Sequence, residues 1–297
     1  MRKEVSSEVH GWDEANEGWF DLTGRKSNFW LVEPDNKETE GISSDEFIRR
    51  LPNFDRICQK MHNEQSHLVL SIFEVLQAAQ LKGTERVLDL GAARCWTTRE
   101  FAKRGCTCVA TDITLTRYVG LATSDVYFEE TPTMYWERVR CDMESLPFMD
   151  GSFDIVFCSA VLHHSKDPLK VILNLRRILA PGGRILVVNE PDYGMLDYRQ
   201  ALKGQEAEAS LGVNENLYNY HMFLKFFRKA GFHTNFFSPI SAAKYNGWRA
   251  RLLLERMGLG LDPTVTQEWF TQKIVKYHHC FRYFFGLGTM GIATKLD

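Results

Sequence analysis

The stretch FDIVFCSAVLHHSKDPLKVILNLRRILAPGGRILVVNE, residues 153–190, decides the fold. Its first nine residues, FDIVFCSAV (153–161), are almost continuously apolar and rich in aromatic and β-branched types. They read as a strand buried on both faces. Pro168 to Leu179 follows with Leu169, Ile172, Leu173, Leu175 and Ile178 at helical spacing. The turn APGG (180–183) then leads into RILVVNE (184–190), a second buried strand. Strand, helix, strand in this order joins two parallel strands by a right-handed crossover.

Working outward, the same alternation extends to both sides. Upstream, RVLDLG (86–91), CTCVATDI (106–113) and WERVRCD (136–142) read as strands. TTREFAKRG (97–105) and LTRYVGLA (115–122) read as the helices between them. A further helix from Ser66 presents Leu68, Val69, Ile72, Phe73, Leu76 and Ala79 on one face, with Gly83 as its stop. Downstream, the helix HMFLKFFRKAG (221–231) precedes the strand FHTNFFSPI (232–240). GLGTMGIATKL (286–296) reads as a last strand that pairs with it, leaving 241–285 inserted between.

Composition narrows the class. The 297 residues are 44% hydrophobic and 25% charged, values of a globular chain. A net charge of −2 gives no global basic field for nucleic acid. Seven cysteines, none in a C-x-x-C pair, argue against a zinc ribbon or a secreted disulfide framework. The first residues, MRKEVSSEVHGW, lack an apolar signal core, and no run approaches ~18 apolar residues, so neither a signal peptide nor a membrane span is expected. The cytoplasm is the expected location. Residues 1–57 carry 8 basic and 13 acidic side chains, whereas 241–297 carry 8 basic and 4 acidic. Opposite signs suit ends that meet, and equally suit two solvated surfaces.

Three positions carry site chemistry. Gly91 follows the first strand, where the absence of a Cβ lets backbone approach a ligand at the strand ends. Asp112 lies 21 positions later, just past the second strand, where a carboxylate can accept from both ribose hydroxyls of a nucleoside cofactor. The competing reading has Asp112 capping the next helix. Asp142 ends the third strand and can accept from the exocyclic amine of adenine, with Met143 lying on the ring. The competing reading is an ordinary turn Asp.

In order and spacing, Asp142, Leu146-Pro147-Phe148, Gly151-Ser152, Leu162-His163-His164 and Leu179-Ala180-Pro181-Gly182-Gly183 closely resemble class I S-adenosylmethionine-dependent methyltransferases. The likeness is to the type 11, ubiquinone/menaquinone-type branch, and covers residues 85–191. It implies a Rossmann-like α/β fold: a doubly wound, seven-stranded, mostly parallel sheet, last strand antiparallel, with helices on both faces. Within it, residues 1–65 would be an N-terminal extension and candidate active-site cover. Residues 66–240 would be the core, 241–285 a helical insertion lining the substrate pocket, and 286–297 the final core strand. The resemblance further implies S-adenosylmethionine as cofactor, leaving as S-adenosylhomocysteine. Its site would be formed by Asp89, Gly91, Ala93, Asp112, Ile113, Asp142, Met143 and Ser159. The family's loop usually runs D-x-G-x-G-x-G. Here Ala93 and Cys95 replace the second and third glycines, which puts the fit of the methionine moiety in question.

Such a reaction needs the acceptor held in line with the methyl carbon and, for a hydroxyl or protonated amine, a base. His163 and His164 directly follow the fourth strand, and one of them is the expected base. A capping or pocket-lining histidine is the plainer reading. Asp192, Tyr193 and His221 are expected at the mouth. No metal site is expected: His278-His279-Cys280 invites one, but adjacent histidines on a helix point apart. The aromatics of 269–285 are expected to pack as core, with an aromatic acceptor pocket as the alternative. Arg249, Arg251 and Arg256 suit an anionic acceptor. The expected partner is therefore a small-molecule acceptor, with no nucleic acid. A nicotinamide dehydrogenase would need G-x-G-x-x-G, which the loop lacks. A base-amine nucleic-acid methyltransferase would need an N/D-P-P-Y run after strand four, where Cys158-Ser159-Ala160-Val161 stands. A non-catalytic scaffold of the same fold draws its support from the eroded glycine loop alone.

Overall fold

The computed structural model describes residues 66–115, 120–210, 214–258 and 262–296, together with residues 12–13, 18–20, 26–27 and Arg49. Apart from those short stretches, the N-terminal segment expected as a cover lies outside the described residues. The strands Trp12–Asp13, Gly18–Phe20 and Lys26–Ser27 pair antiparallel with one another.

The core sheet has seven strands: β1 Arg86–Leu90, β2 Thr107–Asp112, β3 Glu137–Arg140, β4 Phe153–Ser159, β5 Leu179–Glu190, β6 Phe232–Phe236 and β7 Thr289–Lys295. Their order is β3-β2-β1-β4-β5-β7-β6. The first five pair parallel, and β7 runs antiparallel to both β5 and β6. The expected fold and the pairing of the last two strands are both present. Strand order reverses between β1 and β4, which opens a crevice beyond their carboxyl ends.

The apolar runs bury both faces of the central strands β1, β4 and β5. Ile155 and Phe157 of β4 turn into one core, with Ile72 and Val75 of α1 (Ser66–Ala79) and Phe101 of α2 (Trp96–Lys103). Val156 and Cys158 turn into the other, beneath α4 (Pro168–Ile178) and α6 (Tyr220–Lys229). α3 is Ser124–Glu130 and α5 is Tyr198–Ser210. Helix starts follow local chemistry. Asp167 accepts from Lys170 N ahead of Pro168, and Asn219 accepts from Met222 N. Asp262 does the same at Val265 N for α8 (Pro263–Phe284), which with α7 (Ile240–Arg256) lies between β6 and β7 in the chain.

Three local expectations are corrected. The helix expected over 115–122 is absent where described. Gly120 packs so tightly that a Cβ would stand 2.4 Å from Thr114 O. A 3-10 turn, Leu121–Thr123, follows, and only then α3; residues 116–119 lie outside the described ones. On α1 the buried face is Ser71, Ile72, Val75, Leu76 and Ala79, while Leu68 is exposed. The face turns because Ser71 Oγ lies 3.0 Å from Ser241 Oγ, and Glu74 accepts from Ser241 N at the start of α7. The APGG turn belongs to β5 itself. The register steps from Phe153↔Leu179 to Ile155↔Arg184, so Ala180–Gly183 bulge out of the ladder with Gly182 at φ 68°.

Candidate active site

After β1 the chain closes a tight loop. Gly91, Ala93 and Cys95 take φ of 69°, 43° and 55°, so both residues that replace glycines keep the left-handed backbone. That conformation costs a non-glycine residue about 1–2 kcal/mol. Backbone bonds hold it: Ala92 N donates to Thr111 O at 2.9 Å and Cys95 N to Ala92 O at 2.7 Å. Cys95 is fully buried. At Gly91 a Cβ would lie 2.4 Å from Val161 Cγ2, so the glycine lets this loop abut the turn after β4. Asp89 is buried beneath the loop and accepts from Thr97 Oγ1 at 2.7 Å and Thr98 Oγ1 at 2.6 Å. Burial pushes its carboxyl up to about 6 against those bonds.

Asp112, at the end of β2, closes the loop from outside. Its Oδ2 accepts from Ala93 N at 2.9 Å and its Oδ1 from Thr114 N at 2.8 Å. Among the described residues no helix begins beside it, and the carboxylate closes the loop after β1 and a local turn. Each oxygen keeps a lone pair for a further donor. Burial pushes this carboxyl up, while the bonds from Thr114 and Ala93 and the nearby His164 pull it down. Cys141 N donates to Asp112 O at 3.2 Å, which lays the turn of Asp142 alongside. Asp142 Oδ1 accepts from Glu144 N at 2.8 Å. Met143 is half-buried against the core with Phe148. Ile113 and Ser159 are half-buried at their strand ends. Ala160 and Asn189, also at strand ends, hold φ of 49° and 54°. Four of the five described non-glycine residues with positive φ thus cluster here, and backbone strain of this kind gathers at functional sites.

The histidine pair lies in a 3-10 turn, Leu162–His164. Glu190, fully buried at the end of β5, accepts from Val161 N at 2.7 Å and Leu162 N at 2.8 Å. Its Oε2 lies 2.9 Å from His163 Nδ1. Across the ring, His163 Nε2 is 3.4 Å from Glu215 Oε2, which also lies 3.2 Å from His164 Nδ1. Asn214 O is 3.0 Å from that same His164 nitrogen. Asn216 clamps the segment by donating from Nδ2 to His163 O at 2.9 Å and Ser165 O at 2.8 Å. Burial alone would lower the pKa of His163, but Glu190 and Glu215 outweigh it and hold it up at about 9. Burial raises Glu215, and the two histidines bring it down to about 2.

Sequence reasoning missed Glu190 and Glu215. Glu190 has the signal that marks Asp112, an acid ending an apolar strand. Glu215 had none, lying in a stretch without period. Asp192, expected at the mouth, is instead buried in an ion pair: it accepts from Arg282 Nη1 at 2.8 Å, Gly288 N at 2.9 Å and Thr289 Oγ1 at 2.9 Å. Tyr193 packs on Tyr198 and His221 on Tyr283. His278 and His279 do not point apart. Tyr277 breaks the helical backbone at φ −124°, and the two rings lie 3.8 Å apart. The aromatics of 269–285 divide. Phe270, Phe281 and Phe285 pack on Ala243, Ile274 and Leu287, while Trp269, Tyr277, Tyr283 and Phe284 are exposed on the far side of α8.

The strained loop and the acid that closes it lie where the strand order reverses, the place where open α/β sheets bind ligands. Residues 88–187 match the family described as "Methyltransferase domain". The chain carries a class I methyltransferase domain. Relatives of that domain include the "Uncharacterized methyltransferase YcgJ" of Bacillus subtilis, 31% identical over 125 residues, 41% of this chain and 48% of that protein. A demethylmenaquinone methyltransferase of Corynebacterium glutamicum is 32% identical over 145 residues, 47% of this chain and 58% of the relative. The chain thus spans about half the length of the curated relatives it matches. Among solved structures, phosphoethanolamine N-methyltransferase 2 of Haemonchus contortus, in complex with S-adenosyl-L-methionine, shares the methyltransferase fold. The TM-score is 0.55 at 18% identity, over 86% of this chain and 60% of that one. The Bacillus YcgJ structure gives 0.51 at 18% identity, over 77% of this chain and 99% of that one.

Proposed function

We propose that this chain transfers a methyl group from S-adenosylmethionine to a small-molecule acceptor. The observation that carries the reading is the left-handed loop Gly91–Cys95 closed on Asp112 by the 2.9 Å bond from Ala93 N. The donor set suits the cofactor. Asp112 retains acceptor capacity for two hydroxyls, Asp142 Oδ2 for an amine, and Met143, Ile113 and Ser159 line the strand ends around them. Asp89 supports from below, by fixing the start of α2, rather than by touching the cofactor. When bound, the cofactor's sulfonium supplies an activated methyl.

The protein's own part is to position the acceptor, exclude water and accept a proton. Holding the acceptor in line is worth on the order of 7–11 kcal/mol of barrier. His163 is a poor base here, because two carboxylates keep it protonated at neutral pH. His164, which meets Glu215 and the Asn214 carbonyl rather than two carboxylates, is the better candidate. The insertion that carries α7 and α8 is assigned as the wall of the acceptor pocket, where exposed Tyr283 beside His221 suits an aromatic acceptor. The demethylmenaquinone relatives support that chemical class. Arg249 and Arg256 keep an anionic acceptor open. No helix among the described residues is long and apolar enough to cross a membrane.

Incubating the chain with S-adenosylmethionine and a reduced naphthoquinone is expected to release S-adenosylhomocysteine. His164→Ala is expected to lower kcat by about 10²- to 10⁴-fold with the KM for the cofactor held. Cofactor binding without S-adenosylhomocysteine release from any aromatic or anionic acceptor would contradict the enzyme reading and favour the non-catalytic scaffold.

A further inference from the structure

We propose that His163, His164 and Glu215 form a site for a divalent transition-metal ion of the zinc class just beyond the carboxyl end of β4. One nitrogen of each histidine and one oxygen of Glu215 all lie within 4.8 Å of one another. The separations fit an ion. Two ligands held about 2.0–2.1 Å from zinc at a tetrahedral angle stand about 3.3–3.4 Å apart. Here Glu215 Oε2 lies 3.4 Å from His163 Nε2 and 3.2 Å from His164 Nδ1. Asn214 O, 3.0 Å from His164 Nδ1, offers a fourth donor from the same strap.

The surroundings are those of a supported site. Glu190 takes the outer-shell place: Nδ1–H of His163 donates to it at 2.9 Å, which fixes the tautomer and aims Nε2 at Glu215. Glu190 is itself fixed by the backbone N–H groups of Val161 and Leu162. The strap carrying Glu215 is tied to the turn by Asn214 Nδ2 on His164 O and Asn216 Nδ2 on His163 O and Ser165 O. The ligands are therefore held on both sides before any ion arrives. As it enters, the proton now shared in the cluster leaves. An imidazole, imidazole and carboxylate set selects a transition ion over magnesium or calcium, which prefer all-oxygen shells. A bound ion, rather than His164, would then polarise an acceptor oxygen.

The test uses the metal alone, without cofactor or acceptor, so its outcome is separate from that of the methyl-transfer reading. Zn²⁺ titrated into chelator-treated full chain is expected to bind at one equivalent. Glu215→Gln is expected to weaken binding by about tenfold or more, the size of effect seen on disturbing metal sites, while its far-ultraviolet circular dichroism at the titration temperature stays that of the wild type. Co²⁺ in its place is expected to give the visible bands of a nitrogen and oxygen site, with no thiolate charge-transfer band. That second measurement needs no variant. No bound equivalent, an undiminished affinity in Glu215→Gln, or a thiolate band pointing to Cys280 would each overturn the proposal.

Discussion

Ala93 and Cys95 hold φ of 43° and 55° at positions where glycine would carry no steric cost. Ala93→Gly removes a penalty of about 1–2 kcal/mol and adds about 0.4–1 kcal/mol of unfolded-chain entropy, so a gain of roughly 0.5–1 kcal/mol is expected. Urea unfolding checks it, and a lower midpoint would show that the alanine is unstrained. Gly91→Ala acts the other way: at φ 69° with Val161 Cγ2 2.4 Å from the new Cβ, it should destabilise the chain and distort the loop. The departure from the glycine pattern was legible in the sequence, but its consequence was not. Loop geometry is set by what closes it, here the bond from Ala93 N to Asp112, a partner 19 residues away in the chain. The persistence of all three left-handed positions removes the support that the eroded loop gave to a non-catalytic scaffold.

At the scale of elements, helices with their own caps were readable: α4 and α6 begin at Asp167 and Asn219 as side-chain chemistry dictates, whereas α8, capped in the same way by Asp262, was read only as part of a helical insertion over 241–285. Residues 115–122 misled because helical spacing of apolar residues says nothing of a glycine pressed on Thr114. α8 is anchored by a pair that no local pattern reveals. Arg282 and Asp192 are ten-tenths and nearly ten-tenths buried against each other, 90 residues apart, with the guanidinium 4.4 Å over the ring of Tyr220. Removing one partner strands a buried charge, so Asp192→Asn should cost about 3–5 kcal/mol in chemical denaturation, while a paired apolar replacement of both should restore much of it. An unchanged midpoint in Asp192→Asn would contradict this anchoring. His278, one turn before Arg282, is held at about 4 by burial and by the charges of Arg282 and His279. Its folded pKa lies below the unfolded 6.5, so the unfolded chain binds the extra proton. Stability should therefore fall as pH drops from 6.5 towards 4, by up to about 1.4 kcal/mol per pH unit from this group. Thermal melts of His278→Phe should show a shallower acid slope than wild type, and an identical slope would sink the assignment.

At the scale of the molecule, the two-sided core was legible because consecutive residues of the central strands are apolar. Phe157 and Val156 turn to opposite cores and both are fully buried. Phe157→Ala, which also removes a 5.3 Å edge contact with Phe101, should cost about 3–5 kcal/mol in the same denaturation experiment. The reversal of strand order opens a crevice, and the position of Gly91, Asp112 and Asp142 at the carboxyl ends of β1, β2 and β3 was readable in the sequence. Glu215 was not, since an acid in an unpatterned strap gains meaning only when the fold returns it to His163 and His164. The central claim is that the crevice between β1 and β4 holds S-adenosylmethionine with its ribose on Asp112. Calorimetric titration of the cofactor into the wild-type chain and Asp112→Ala tests it most directly. Two hydrogen bonds to a charged acceptor are worth about 1.5–3 kcal/mol each, so single-site binding should weaken by on the order of 10²-fold or more in the variant. Equal affinity in the two proteins, or no binding to the wild type, would contradict the account.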